Sequence, residues 1–165
     1  MRKPSVSMET LEKILSRNLG WIAAADAKVG PALAISTAMP GTLAAFFGTS
    51  TNPGLFPLAF LALAVLFLLA SIVFLGTAIF PRVKGPINSV IFFGGISVLP
   101  RDRYIRKIES LTENELYRDL AEQCHRNAQI ASAKYQSVRR AMACLLASIA
   151  PWIVALWQLW TIKRP

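Results

Sequence analysis

Between Val29 and Phe80 the chain carries no Asp, Glu, Lys or Arg, an uncharged run of 52 residues. A charge at mid-bilayer costs about 2.5–3.5 kcal/mol, and about 20 apolar residues are enough to cross the hydrocarbon core. The run is therefore long enough for two crossings, and it divides at the short polar turn Thr49-Ser50-Thr51-Asn52-Pro53-Gly54. Before the turn, Gly30 to Gly48 is apolar but rich in small residues: Ala32, Ala34, Ser36, Thr37, Ala38, Ala44 and Ala45. Small side chains let membrane helices approach closely, so this span is expected to face protein, with a kink at Pro40-Gly41. After the turn, Leu55 to Phe80 is rich in Leu, Phe, Ile and Val. It is expected to face lipid and, being longer than needed, to tilt. A second uncharged run, Ala141 to Ile162, reads as a third span. Pro151 inside it is tolerable where neighbours satisfy the freed carbonyl. Trp160, Lys163 and Arg164 suit its far interface.

Charged residues make up 16% of the 165, against about 25% in soluble domains, and the deficit lies in these runs. The first 28 residues do not read as a cleaved signal peptide. They mix Arg2, Lys3, Lys13, Arg17 and Lys28 with Glu9, Glu12 and Asp26, in an amphipathic pattern. Leu11, Ile14, Leu15, Leu19 and Ile22 recur at helical spacing over 8–28, with Ser7 as a candidate cap. Asp26 and Lys28 either mark the membrane margin or pair with charges of another helix. The two cysteines, Cys124 and Cys144, have no metal-ligand partner at zinc spacing and read as small buried residues.

The segment 81–140 holds 11 basic residues against six acids. Pro81, Gly85, Pro86, Gly94, Gly95 and Pro100 argue against a continuous helix before residue 101. The apolar stretch Ser89 to Leu99 is too short to span, and should pack on neighbouring helices or lie at the membrane interface. Thr112 and Glu115 fit a capping box. From there Leu116, Leu120, Cys124, Ala128, Tyr135, Val138, Met142 and Leu145 predict one long helix entering the bilayer after Arg139-Arg140. The N-terminal segment carries five Lys or Arg and the first polar turn none, so positive-inside places the N-terminus and 81–140 in the cytosol. The expected fold class is an all-α membrane protein in four parts. These are a cytosolic amphipathic helix over 1–28, a transmembrane hairpin over 29–80, a basic cytosolic sensor segment over 81–140 and a transmembrane helix over 141–165.

Catalytic chemistry finds no foothold: His125 is the one histidine, and no P-loop, HExxH, GxSxG or metal-ligand spacing occurs. No enzyme, metal or nucleic-acid partner is expected. The basic surplus has two readings. Arg82, Lys84, Arg139 and Arg140 flank spans and serve topology and anionic headgroups. Arg101, Arg103, Arg106 and Lys107 lie farther from the spans in sequence and suit a small anionic ligand, with Phe92, Phe93 and Tyr104 available to stack on a base. Lys134 and Tyr135 of the long helix, with Arg82 and Lys84, complete the candidate ligand set. Asp26, Lys28, Arg139 and Arg140 form the membrane boundary.

The order of these pieces resembles a known family. An amphipathic helix ending Ala25-Asp26-Ala27-Lys28 leads to an apolar hairpin, then Pro81-Arg82-Val83-Lys84 and Ile91-Phe92-Phe93-Gly94-Gly95-Ile96. A helix near Tyr104 follows, and Ala128-Gln129-Ile130-Ala131-Ser132-Ala133-Lys134-Tyr135-Gln136-Ser137-Val138-Arg139-Arg140-Ala141 enters the last span. Together they resemble the transmembrane effectors of Pycsar, a bacterial anti-phage system. The resemblance implies an activating ligand, the cyclic pyrimidine nucleotide cCMP or cUMP, made by a partner cyclase after infection. It also implies an effector in the bacterial inner membrane that impairs it and so stops phage replication; the small-residue faces of the first span would let copies assemble as a homo-oligomer. A related two-span family of nucleotide-linked conflict effectors shares the layout. A constitutive scaffold or small channel docking a protein is the competing class.

Overall fold

The computed structural model describes residues 6–48, 54–80, 85–86 and 89–162. The turn expected at 49–53, the Pro81–Lys84 segment and the Lys163–Arg164 tip lie outside them. Among the described residues 88% are helical and none lies in a strand. Five helices follow in order: α1 Met8–Phe47, α2 Leu55–Ile79, α3 Phe93–Ser97, α4 Arg101–Glu109 and α5 Glu113–Ile162. The amphipathic stretch and the first span are one uninterrupted helix that runs through Pro31 and Pro40. Ala24-Ala25-Asp26-Ala27-Lys28 contains no breaker and two of the best helix formers, which explains the continuity. The helices α1, α2 and α5 are each long and apolar enough to cross a membrane. The chain forms two compact units: Met1–Ala24 with Pro81–Ala133, and Ala25–Phe80 with Lys134–Pro165.

The second unit is a three-helix bundle built on a repeat of seven. Its buried positions are Ala25, Val29, Ala32, Ser36 and Leu43 on α1, and Ala64, Leu68, Ser71, Leu75 and Ala78 on α2. On α5 they include Lys134, Val138, Ala141, Leu145, Ser148, Ala155 and Leu159. Steps of four and three alternate along each helix, which is the 3.5-residue seam of a left-handed coiled coil. Val29 and Ala32 cluster with Leu75, Ala78, Val138 and Ala141, while Leu43 clusters with Ala64 and Ala155. Within this unit α1 and α5 therefore run parallel, and α2 runs against both. The expectation that Gly30–Gly48 faces protein through its small residues holds for Ala32 and Ser36 and fails for Ala34, Thr37, Ala38, Ala44 and Ala45, which are exposed. Leu55, Phe56, Leu66, Leu69 and Val73 of α2 are exposed, as a lipid-facing helix requires.

Polar groups inside the bundle are paired. The Ser36 and Ser71 hydroxyls lie 3.1 Å apart, and Trp152 Nε1 donates to the Met39 carbonyl at 3.0 Å. Ser148 and Thr37 return their hydroxyls to carbonyls of their own helices. Such pairing is required where no water can serve as partner.

The first unit packs the start of α1 and the first five turns of α5 around Leu11, Leu120 and Cys124, with Met8, Leu15, Ile91 and Tyr117 against them. Asn18 Nδ2 donates to the Cys124 carbonyl at 2.9 Å, and the Cys124 thiol donates to the Leu11 carbonyl. Burial pushes that thiol up from its ordinary value, which keeps it protonated and unreactive. The apolar 89–99 stretch packs on α5: Val90 N donates to Asp119 Oδ2 at 2.8 Å, and Tyr104 OH donates to the Val90 carbonyl. Both predicted caps are present. Thr10 N donates to Ser7 Oγ, and Thr112 and Glu115 bond reciprocally at the start of α5.

The long helix predicted from the capping box onward is present as α5. Ala128, Tyr135 and Met142 are exposed, whereas Ala131, Lys134 and Ala141 hold the seam. Ala141 is fully buried, so Ala141→Leu overpacks the bundle and should cost roughly 1–3 kcal/mol. Met142→Leu, one position outside the seam, should be nearly neutral; thermal unfolding in detergent compares the two. The hydrogen bonds from Thr112 hold the Glu115 carboxyl below its ordinary 4.5. Stability from this cap is thus complete above pH 4.5 and falls as pH drops through the lowered value. Glu115→Gln should flatten that acid dependence in amide exchange of the first turn of α5.

Candidate functional site

In the first unit, the chain at Gly85-Pro86 lies against one face of α5. Two adjoining cavities open there, sharing Gly85, Pro86 and Glu122. The larger, about 680 Å³, is lined also by Ala121, His125, Arg126 and Gln129. The other, about 540 Å³, adds Ser89, Glu115, Arg118 and Asp119. Both fall in the size range of small-molecule sites. On α5 the residues 118, 122, 125, 126 and 129 share one helical face by spacing, which gathers their side chains beside the cavities.

Local packing fixes the wall of this trough. The Phe92 ring lies so close to Gly85 that a Cβ there would meet it at 2.6 Å, and at Gly94 at 2.5 Å. Only glycine allows that approach. Ser89 Oγ accepts from Ile91 N, Phe92 N and Gln123 Nε2, which ties the turn to α5. On the α5 side, Arg126 Nη1 donates to Gln129 Oε1 at 3.2 Å, and Gln129 Nε2 lies 3.0 Å from His125 Nε2. A guanidinium only donates, so the amide oxygen faces Arg126 and the amide nitrogen faces His125. Asp119 Oδ1 is buried with no hydrogen-bond partner among the described residues, an expensive condition for a carboxylate oxygen.

The residues singled out from the sequence are placed separately. Arg82 and Lys84 lie outside the described residues. Phe92 holds Gly85, Phe93 is exposed beside it at 4.8 Å between ring centroids, and Tyr104 serves the Val90 carbonyl. Arg101 and Arg103 are exposed on α4. None of the described ones, Phe92, Phe93, Arg101, Arg103 and Tyr104, lines the two cavities. Lys134 and Tyr135 belong to the other unit. There, buried Lys134 pairs with Asp26, and Lys28 lies 5.3 Å above the Tyr135 ring. The choice left open for Asp26 and Lys28 thus resolves toward pairing with α5. Arg139 and Arg140 are exposed, Arg140 at 6.0 Å from the Phe74 ring centroid. The trough residues Arg118, Glu122, Arg126 and Gln129 were not singled out; their common polar face, set apart from the seam, is the signal that carries them. No group of three or more His, Cys, Asp or Glu fit to hold a metal ion occurs among the described residues.

The sequence model of the Pycsar effector protein domain, PycTM, matches residues 10–160. The chain belongs to the Pycsar effector family. It is 27% identical over 138 residues to the Pycsar effector protein PtPycTM of Propioniciclava tarda, covering 78% of this chain and 68% of that one. No solved structure matches it. Membership makes this Pycsar effector an anti-phage membrane effector, in a family that implies a cyclic nucleotide signal and is not known for enzymes.

The Asp26–Lys134 pair yields a test. Asp26→Ala leaves a buried ammonium uncompensated and should cost roughly 2–3 kcal/mol, less than the ~3–5 of a fully buried pair because Asp26 is half exposed. Replacing both, as Asp26→Ala with Lys134→Met, should recover most of that loss in detergent unfolding.

Proposed function

We propose that this effector senses a cyclic pyrimidine nucleotide, cCMP or cUMP, in its first unit and responds by breaching the bacterial inner membrane, so that infection aborts. The observation that carries the reading is α5. One helix supplies both the trough residues 118–129 and an apolar span. A nucleotide that binds two states of that helix unequally shifts their balance; equal affinity shifts nothing. The N-terminus and residues 81–140 face the cytosol, where a cyclase would deliver the signal, in keeping with the basic margins and the parallel course of α1 and α5 in the bundle. Leu43, Ala64, Leu75, Ala141 and Ala155 are almost fully buried, so a single bundle has a packed centre and no lumen. Leakage therefore runs between copies, in a homo-oligomer.

Purified protein in liposomes should release a trapped dye on addition of cCMP or cUMP, and not with cAMP or without nucleotide. Release should rise more steeply than linearly with protein density. Leakage of equal size without nucleotide overturns the gating. No response from folded, inserted protein turns the reading toward a scaffold.

A further inference from the structure

The trough beside Gly85-Pro86 has an unusual balance of charge for an anion site. Arg118 and Arg126 stand with three carboxylates, those of Glu115, Asp119 and Glu122. Two of these acids are engaged: Glu115 accepts from Thr112, and Asp119 Oδ2 accepts from Val90 N. What remains toward the cavities is Glu122, common to both. Carboxylates only accept and guanidinium groups only donate. A ligand matching both must offer an amino donor at one end and an anion at the other.

Resting on the reading above that the signal is a cyclic pyrimidine nucleotide, we propose that these paired cavities bind it and select cytosine over uracil. Glu122 accepts from the exocyclic amino group, and Arg118 or Arg126 holds the cyclic phosphate. Cytosine carries an N4 amino group where uracil carries a carbonyl oxygen. A carboxylate pairs with the first and repels the second, so discrimination includes a repulsive element against the wrong base. Glu122 lies four residues from each arginine, about 6 Å along the helix axis, and the reach of the two long side chains leaves room for the ring and the sugar that separate N4 from the phosphate. Pro86 and Ala121 supply apolar surface for the ring faces. The His125–Gln129–Arg126 chain fixes the arginine's direction. Gly85, held by Phe92, keeps the wall at its distance.

Equilibrium binding of cCMP, cUMP, cAMP and inorganic phosphate to the full chain in nanodiscs tests this. The expected result is about tenfold or more tighter binding of cCMP than cUMP. Glu122→Gln, at an exposed position, should shrink that ratio below about threefold because an amide both donates and accepts. Arg126→Gln should weaken both nucleotides alike, and so should Arg118→Gln if the phosphate lies at that end; one of the two must do so by about tenfold. Equal or tighter binding of cUMP, a ratio unmoved by Glu122→Gln, or indifference to both arginine variants overturns the proposal. Each leaves the nucleotide-gated reading standing. Binding of neither pyrimidine nucleotide overturns both.

Discussion

Close packing of three helices without a hydrophobic drive is the constraint on which the bundle depends. Lipid tails are as apolar as leucine, so burying a leucine between spans gains little over leaving it in lipid. What remains is contact area and hydrogen bonding, and both improve as backbones approach. The seam of α1 answers with Ala25, Ala32 and Ser36, that of α2 with Ala64, Ser71 and Ala78, and that of α5 with Ala141, Ser148 and Ala155. Larger side chains, such as Leu43, Leu68 and Leu159, fill the places between them. The lipid-facing side of α2 has no such restriction and is free to be Leu, Phe and Val.

The seam also contains a residue that a purely apolar repeat would refuse. Lys134 occupies a core position, and Asp26 on α1 answers it. Charged or polar residues at core positions of coiled coils fix register at a cost in stability. Here α1 and α5 run in parallel over several heptads of similar small and apolar residues, so a shift by seven would repack almost as well. The ion pair removes that ambiguity, since any shift leaves the ammonium without its carboxylate.

Much of this was legible in the sequence. Absence of charge located the three helices long and apolar enough to cross a membrane, and capping chemistry located the start of α5 at Thr112. Among the described residues of 81–100, only the short α3 forms before α4, as the prolines and glycines there led one to expect. The helical spacing from Leu116 to Leu145 located α5 but not its buried face, because stepping by four from Cys124 to Ala128 drifts away from a seam that alternates four and three. The place of Lys134 was equally hidden, since its partner lies far away in the sequence, on α1. For the site, sequence reasoning gathered cations and aromatic rings by composition. The fold gave several of them separate tasks: Phe92 against Gly85, Tyr104 under Val90, Tyr135 beneath Lys28. The trough itself depends on Gly85-Pro86 meeting residues some 35 positions later on α5. No local pattern announces such a meeting.

The repeat of seven has a further consequence for how such a chain can change length. One residue inserted into α5 turns everything after it by about 100° about the helix axis. Such an insertion near Val138 would present Ala141, Ser148 and Ala155 to lipid and bring bulky neighbours inward. Deletions act the same way with opposite hand. Within α1, α2 and the bundle part of α5, tolerated length changes are therefore quantised in whole heptads. Variation of any other size is confined to the links between helices, before Leu55 and between Ile79 and Arg101.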